Sequence, residues 1–232
     1  MTTTNFPTPP DAQALERLMR QRHSCRAFRP DPVPQPVLDR IVELAQLSAS
    51  WCNTQPWQVH ITRGEATERF RQILLAQASV KADEPEDFAW PTTYEGVYQQ
   101  RRRESGLALY DSVGIARGDR EASTRQALEN LRLFNAPHVA MITTPESLGV
   151  YGAVDCGGYV ANFMLAATSL GISCIAQAAL AKRPQCVRDF FGLPSSERVV
   201  CGISLGYADK EHPANAFRTT RASTSSAVCW YD

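Results

Sequence analysis

Two short polar motifs near the start of the chain carry the residues best suited to hold a ligand. They are Arg22-His23-Ser24-Cys25-Arg26 and Asn53-Thr54-Gln55-Pro56-Trp57. Arg22 and Arg26 stand four positions apart, one helical turn, with Ser24 between them, and guanidinium groups hold phosphate through paired hydrogen bonds. Arg218 and Arg221 form a second pair late in the chain. The four arginines suggest an anion site, although arginines are also common on protein surfaces.

The amide motif has two interpretations. Asn53 and Gln55 offer donors and acceptors that suit the edge of a heterocycle. The same two residues are also typical of a turn before Pro56, and residue propensities alone favour this structural role. The spacing of the motif leaves both roles open.

Other familiar catalytic and cofactor motifs do not occur in the sequence. A GxGxxG or GxxxxGK[ST] pattern is missing, which argues against a Rossmann dinucleotide domain or a P-loop. A GxSxG elbow and an HExxH pattern are missing as well. The four histidines are scattered and the seven cysteines form no CxxC pair, so we expect no metal site. We interpret the cysteines as buried free thiols of a cytoplasmic protein.

The composition is that of an ordinary soluble globular protein. The 232 residues include 24 Lys and Arg and 24 Asp and Glu, so the net charge is zero. We therefore expect no nucleic-acid partner, and no apolar run is long enough to suggest a membrane span. The arginine run at 101–103 is interpreted as a solvated helix face. Residues 1–10 are expected to form a flexible arm rather than a secretory signal.

The hydrophobic pattern predicts helices that flank a few strands. We expect helices over residues 11–22, 37–45, 65–79, 121–134, 154–170 and 184–191, and strands over 57–62, 138–143, 172–175 and 198–205. The helix over 154–170 is apolar all round and should be buried on all sides. Strands that arrive singly between helices are typical of an α+β fold or a three-layer α/β/α fold. Residues 11–232 are expected to form a single domain.

Two segments are expected to lie apart from this frame. Residues 81–120 change from acidic to aromatic to basic, and we expect a lid or pocket wall there, irregular at first and then helical. Its aromatic residues are either a pocket lining or ordinary core. The tail, residues 207–232, is polar but ends in Val228, Trp230 and Tyr231. We therefore expect the tail to pack on a second subunit.

The order of these features along the chain resembles the FMN-dependent nitroreductase family. A helix, R-x-S-x-R, a proline-rich link, a second helix, N-x-Q-P-W and a strand follow one another. Later stretches agree, namely Asp155-Cys156-Gly157-Gly158, Leu170-Gly171-Ile172 and Ser204-Leu205-Gly206-Tyr207. The resemblance covers nearly the whole chain. It implies a nitroreductase-like homodimer, with a central, mostly antiparallel sheet flanked by helices and two FMN sites at the interface.

The resemblance also implies roles for particular residues. Arg22 and Ser24 would meet the phosphate and ribityl chain of FMN, and His23 would lie beside them. Arg26 would lie at the pyrimidine end of the flavin and support its reduced state electrostatically. Further cofactor contacts would come from Asn53 and Gln55 of the partner subunit, from the backbone of Ala176, Gln177, Ala178 and Ala179, and from Arg218 or Arg221, of which Arg221 is favoured.

The activity that the resemblance implies is hydride transfer from NADH or NADPH, through flavin N5, to a nitroaromatic compound or a quinone. No catalytic protein nucleophile is expected. The substrate pocket would be lined by Trp51, Phe88, Trp90, Tyr94 and Tyr110. Trp51, Ala176 and Ala178 depart from residues that are frequent in the family, which leaves the substrate and the nicotinamide donor open. The same fold would also suit reductive dehalogenation, flavin fragmentation or flavin binding without catalysis.

Overall fold

The computed structural model describes residues 9–78 and 85–231. The helices in these ranges are α1 (Pro10–Gln21), α2 (Gln35–Ala45), α3 (Glu65–Ala78), α4 (Gly96–Ser112), α5 (Arg120–Leu128), α6 (Gly149–Ser169) and α7 (Pro184–Phe191), and the strands are β1 (Gln58–Ile61), β2 (His138–Pro145), β3 (Ser173–Gln177) and β4 (Glu197–Gly206). None of these helices could cross a lipid bilayer. Most of the expected N-terminal arm and the start of the expected lid lie outside the described residues.

The four strands form one sheet in the order β1-β2-β4-β3, with every neighbouring pair antiparallel. Each predicted strand is present, with ends that differ by one or two residues from the expected ones. The prediction of a mostly antiparallel sheet flanked by helices is therefore confirmed. β3 lies at an edge of the sheet, and this edge receives the first arginine motif.

The core lies on both faces of the sheet because side chains alternate along β2. Ala140 and Ile142 point to one face, where they pack with residues of α2 and α6. Val139 and Met141 point to the opposite face, where they pack with residues of α3 and α7. Helices on both faces of one sheet make a three-layer arrangement, as the sequence predicted.

Several local predictions were wrong. The helix predicted over 121–134 ends at Leu128, because residues 133–135 all have positive φ, which a right-handed helix does not accommodate. α6 begins at Gly149 and is not buried all round, since Val150 and Val154 are 71% and 61% exposed. That exposed stripe of α6 faces away from the sheet.

A buried ion cluster anchors the chain that leads into α4. The side chain of Asp87 is only 1% exposed, and its carboxylate accepts hydrogen bonds from the guanidinium groups of Arg188 at 2.8 Å and Arg198 at 3.1 Å. It also accepts the backbone N–H of Val199 at 2.7 Å. Residues 91–104, which follow, are all exposed. Asp87 is therefore the fixed point from which this segment extends.

Replacing Asp87 by Ala should lower the free energy of unfolding by about 3–5 kcal/mol, because it leaves the buried guanidinium of Arg188 without its counter-charge. Urea denaturation measures this loss. The matched control is Glu146→Ala, which removes the more exposed carboxylate beside Arg198 and should cost less than about 1 kcal/mol. Equal losses in the two variants would contradict the anchoring role of Asp87.

Candidate functional site

The first motif is extended chain rather than helix. α1 ends at Gln21, and Ser24 then forms a parallel bridge with Cys174 of β3. The N–H of Cys25 donates to the carbonyl oxygen of Cys174 at 3.2 Å. The prediction that Arg22 and Arg26 are separated by one helical turn was therefore wrong. Pairing with the sheet edge, rather than helix geometry, positions the motif.

A cleft of about 400 Å³ opens beside this motif. Its lining residues are Gln21, Arg22, His23, Thr168, Gly171, Ile172, Ser173, Cys174, Ala208, Lys210, Asn215 and Arg218. Three of these described residues are cations, Arg22, Lys210 and Arg218, and none is acidic. The C-terminal ends of α1 and α6 also reach the cleft, and each carries about half a negative charge. The three cations outweigh both helix ends, so the cleft favours an anion.

His23 adds no charge to the cleft at neutral pH. Burial, and then the positive charges of Arg218 and Arg22, lower the pKa of its imidazole. A hydrogen bond between Nδ1 and the carbonyl oxygen of Gln21, at 3.1 Å, opposes this shift. The neutral ring can accept or donate a hydrogen bond at the side of the cleft.

Arg26 lies half-buried on the neighbouring side of the motif. Burial lowers the pKa of its guanidinium, which still remains charged at neutral pH. The guanidinium carbon lies 5.5 Å from the centre of the Phe217 ring, within range of a cation–π interaction. Arg26 lines a second cleft of about 650 Å³ rather than the cationic one. The charge of Arg26 is thus close to the cationic cleft, although Arg26 does not line that cleft.

Only one of the two late arginines reaches the cleft. Arg218 lines it, and its guanidinium donates to the carbonyl oxygens of Asn215 and Phe217 at 2.7 and 2.8 Å. Arg221, which the sequence analysis favoured, is not among the lining residues, and its guanidinium donates instead to Thr219 and Thr220. The path of the tail therefore brings Arg218 to Arg22.

The segment after the cleft, residues 176–179, presents small side chains at the edge of the sheet. Ala176 and Ala178 are exposed. Gln177 is buried, and its amide donates to the carbonyl oxygen of Asn130 at 2.9 Å and accepts from the hydroxyl of Ser204. Its side chain therefore stabilises the fold, and only its backbone can border a ligand. Because backbone groups alternate along a strand, the N–H of Ala176 points to the same outer edge as the carbonyl of Cys174.

The second motif forms a strained loop. Cys52, Asn53 and Gln55 have φ values of 51°, 54° and 47°, a conformation that is uncommon outside glycine. The side-chain amide of Gln46 holds both ends of this segment. It donates to Oε1 of Gln55 at 3.0 Å and accepts a hydrogen bond from the indole N–H of Trp57 at 3.0 Å. Gln55 thus has the turn-holding role that its propensity suggested. Asn53 remains exposed at the loop surface.

Trp51 fixes this loop to the start of α6. Its backbone N–H donates to the carboxylate of Asp155 at 3.1 Å, and its ring lies edge-to-face with Tyr151, with centroids 4.5 Å apart. The cationic cleft lies at the other end of α6, at Thr168. Thirteen residues of helix correspond to roughly 20 Å, at a rise of about 1.5 Å per residue. Within one chain, the two motifs therefore face different regions.

The aromatic residues of the expected pocket are also dispersed. Trp90 packs against the core on the α3 side of the sheet, and the ammonium of Lys182 lies 5.3 Å from its ring. Tyr94 is 40% exposed under the guanidinium of Arg102. Phe88 and Tyr110 are half-buried, and Tyr110 belongs to α4. The structure confirms irregular chain followed by a helix in this region, and it places Trp90 in the core.

Thiol and metal chemistry find no support in the described residues. All seven cysteines are free, and the thiols of Cys52 and Cys229 are exposed. Burial raises the pKa of Cys25 to about 11, so the thiol inside the first motif stays protonated at neutral pH. The described part of the chain holds no group of three or more His, Cys, Asp or Glu side chains arranged for a metal ion.

The chain is similar to known proteins over nearly its whole length. A model of the nitroreductase family matches residues 19–207. The chain belongs to the nitroreductase family. It is 39% identical over 234 aligned residues to nitroreductase NfnB of Mycolicibacterium smegmatis, with 98% of each chain covered. It is 31% identical over 212 residues to a 4-nitrobenzoate reductase of Pseudomonas putida, covering 89% of this chain and 91% of the relative.

A solved structure shows the same fold. The crystal structure of the FMN-dependent nitroreductase NfnB from Mycobacterium smegmatis, in complex with NADPH, superposes with a TM-score of 0.90 at 36% identity. The superposition covers 95% of this chain and 99% of that one. The family predicted from the sequence is thereby confirmed.

Sequence reasoning missed most of the cleft lining in this family member, including its third cation and a buried amide. Lys210 lies between the end of β4 and Arg218, and the charge argument applied to the arginines would have found it. Asn215 is an isolated amide in an irregular tail. No periodicity or spacing signals its position, which depends on the tertiary path of the tail.

Proposed function

We propose that this protein is an FMN-containing oxidoreductase that takes hydride from NADPH and reduces nitroaromatic compounds or quinones. The observation that carries the proposal is the cationic cleft, which has no acidic lining among the described residues and opens beside an edge strand with small exposed side chains. The cations of the cleft suit a phosphate, and the open strand edge suits a flat ring. The solved M. smegmatis relative uses FMN and binds NADPH.

The cleft residues have the chemistry that a phosphate monoester requires. Arg22 and Arg218 offer guanidinium donors from two distant segments, and Lys210 adds an ammonium group. Charge-assisted hydrogen bonds of this kind are about twice as strong as neutral ones. The hydroxyl of Ser24 and the neutral ring of His23 supply further donors within the first motif. We assign these residues to the phosphate and the ribityl chain.

The strand edge and Arg26 are assigned to the ring system. Ala176 and Ala178 leave the edge of β3 open to a flat group, and the outward N–H of Ala176 offers it a donor. Bound FMN would supply the redox chemistry, a two-electron transfer between NADPH and the acceptor. Arg26 keeps a positive charge in a half-buried position, where it stabilises negative charge that reduction brings to the pyrimidine end.

A homodimer would complete the site. The exposed face of α6 carries Gly157, Gly158, Ala161 and Asn162. A Cβ atom added at Gly157 or Gly158 would meet nothing within 4 Å, so packing inside the described chain does not require these glycines. Small residues on an exposed helix face suit close approach of a second helix.

Antiparallel packing of two α6 helices would also solve the separation of the motifs. The midpoint between Asp155 and Thr168 falls at Ala161 and Asn162. A two-fold axis there places the start of one α6 beside the end of the other. The Trp51–Asn53 loop of each subunit then lies beside the cleft of its partner. Asn53 and Gln55 would thus border FMN across the interface.

Other exposed apolar residues would be covered in the same dimer. Leu15 and Met19 of α1 are 49% and 57% exposed, and Trp230 and Tyr231 of the tail are 88% and 92% exposed. Such residues are unusual on the surface of a monomer when they are this large and this open. We propose that the tail packs on the partner subunit.

The acceptor would bind over the ring against aromatic residues. Trp51 would reach the pocket from the partner's side, with Tyr151 supporting its ring. Phe88, Tyr94 and Tyr110 would form the lid side, with Trp90 holding the base of the lid in the core. Free thiols at all seven cysteines fit a reducing compartment, and we propose a cytoplasmic location.

The purified protein should be yellow, should bleach on anaerobic addition of NADPH and should recolour on addition of a nitroaromatic compound. Absorbance spectra before and after each addition test this directly. A yellow protein that neither NADPH nor NADH bleaches would contradict the proposal. Bleaching without oxidation by a broad acceptor panel would favour a flavin-binding module, and product analysis would detect dehalogenation or flavin fragmentation.

Replacing Arg218 by Ala should weaken FMN binding by about 1.5–3 kcal/mol, because charge-assisted hydrogen bonds to the phosphate are lost. Arg22→Ala should behave in the same way. Arg221→Ala is the matched control, since the structure places Arg221 outside the cleft. Fluorescence titration of the apoproteins with FMN measures the affinities. A larger loss for Arg221 than for Arg218 would reverse the assignment.

Replacing Ala161 by Glu should produce monomers that retain little FMN, because two carboxylates would meet near the proposed two-fold axis. Analytical ultracentrifugation gives the oligomeric state, and the absorbance of bound flavin gives the FMN content. Ala76→Glu makes the same change on an exposed face of α3 and should leave both unchanged. A dimeric Ala161→Glu variant with full flavin content would exclude this face as the interface.

A further inference from the structure

Asn215 joins the two segments that carry the cofactor arginines. It lies in a short 3₁₀ turn of the tail, Pro213–Asn215, and is 6% exposed. Its Oδ1 accepts the backbone N–H of Arg26 at 2.7 Å. Its Nδ2 donates to the carbonyl oxygens of Ala27 at 2.9 Å and Asp209 at 2.7 Å. Both functional groups of the buried amide are therefore used.

This amide extends a backbone ladder that would otherwise stop short of Arg26. The N–H of Arg29 donates to the carbonyl of Tyr207 at 2.8 Å, and the N–H of Asp209 donates to the carbonyl of Ala27 at 3.0 Å. Beyond this point the tail turns away. The side chain of Asn215 then offers Arg26 an acceptor, as a neighbouring strand would. The backbone on both sides of Arg26 is thus held.

The same residue also holds Arg218. The backbone carbonyl of Asn215 accepts a hydrogen bond from the Arg218 guanidinium at 2.7 Å, and the carbonyl of Phe217 accepts a second at 2.8 Å. A guanidinium has five N–H donors. Binding two carbonyls on one side orients the group and leaves donors for an anion on the other. Asn215 also lines the cleft itself.

We propose that Asn215 is a positioning residue for FMN, which sets Arg26 against the ring and Arg218 against the phosphate. The inference rests on the proposed function, because it takes FMN as the ligand of the cleft. Asn215 acts through the two arginines rather than by reacting with substrate. An aspartate would keep the acceptor for Arg26 but lose both donors and set a negative charge beside the anion cleft. The position thus requires an amide.

The test compares Asn215→Ala and Asn215→Asp with a control that removes hydrogen bonds of the same kind elsewhere. Thr67 is 2% exposed, and its hydroxyl contacts the carbonyl of Pro137 at 2.9 Å and the hydroxyl of Thr62 at 2.8 Å. Thr67→Val removes these bonds without a contact to the cleft. All variants are purified, stripped of flavin and titrated with FMN.

Both Asn215 variants should bind FMN at least about tenfold more weakly than the unmodified protein, whereas Thr67→Val should stay within about twofold. The midpoint potential of the bound flavin should become more negative in Asn215→Ala, because the backbone of Arg26 loses its side-chain acceptor there. A change in stability alone does not shift this potential. Equal affinity and potential in Asn215→Ala and the unmodified protein would overturn the inference, as would an equal loss in Thr67→Val.

A double-mutant cycle separates positioning from a general loss of structure. In an Arg218→Ala background, the effect of Asn215→Ala on FMN affinity should fall below about threefold. The Asn215 side chain holds the turn whose backbone carbonyl binds Arg218, and in this background that guanidinium is already absent. Strict additivity of the two changes would overturn the inference. Should Asn215→Ala fail to fold, the nearly isosteric Asn215→Asp enters the same cycle. If the unmodified protein binds no FMN, the proposed function fails as well, which distinguishes the two failures.

Discussion

The length of α6 is the constraint on which the arrangement of the candidate site depends. A straight helix cannot bend its two ends together, so the loop fixed at Asp155 and the cleft at Thr168 stay about 20 Å apart in each chain. Each subunit therefore offers two half-sites that face different regions. In the proposed dimer the two-fold axis pairs unlike half-sites, and every site takes residues from both chains. Cofactor binding and subunit association then stabilise each other, since a ligand that binds only the assembled form favours assembly.

The electrostatics of the cleft also couple the binding of an anion to the stability of the chain. Arg22, Lys210 and Arg218 surround one space without a carboxylate among the described lining residues, and their mutual repulsion destabilises the chain when no anion is bound. Burial lowers the pKa of His23 most, and the nearby arginines lower it further because they disfavour another positive charge. An anionic ligand removes the repulsion. In the proposed site, part of the affinity for phosphate comes from relief of this repulsion.

The sequence predicted the sheet well because a strand that is buried on both faces, such as β2, forms a short continuous apolar run. It failed at residues 133–135, where tertiary packing holds three successive residues at positive φ. It also predicted α6 as buried all round, since apolar composition does not tell burial within a chain from burial between chains. The exposed side chains of Val150 and Val154 are where that prediction was wrong within the chain.

The candidate site shows a similar limit. The arginine and amide motifs were recognised from their order along the chain, which the family resemblance made specific. The choice between Arg218 and Arg221 was beyond the sequence, because the two lie three positions apart in an irregular tail. Arg218 donates to the carbonyl of Asn215, and the side chain of Asn215 is in turn bonded to Arg26 from the other end of the chain.

The segment from Asp87 through α4 combines a rigid base with a loosely attached helix. Its base is held by buried charges, yet none of the residues of α4 is buried. The opening free energy of α4 is therefore low compared with that of the sheet, and its amide hydrogens should exchange with solvent as an independent unit. As the proposed pocket wall, a helix attached only at its base would adjust to acceptors of different size without disturbing the core. In that proposal, the range of acceptors depends on the mobility of one helix rather than on the cofactor site.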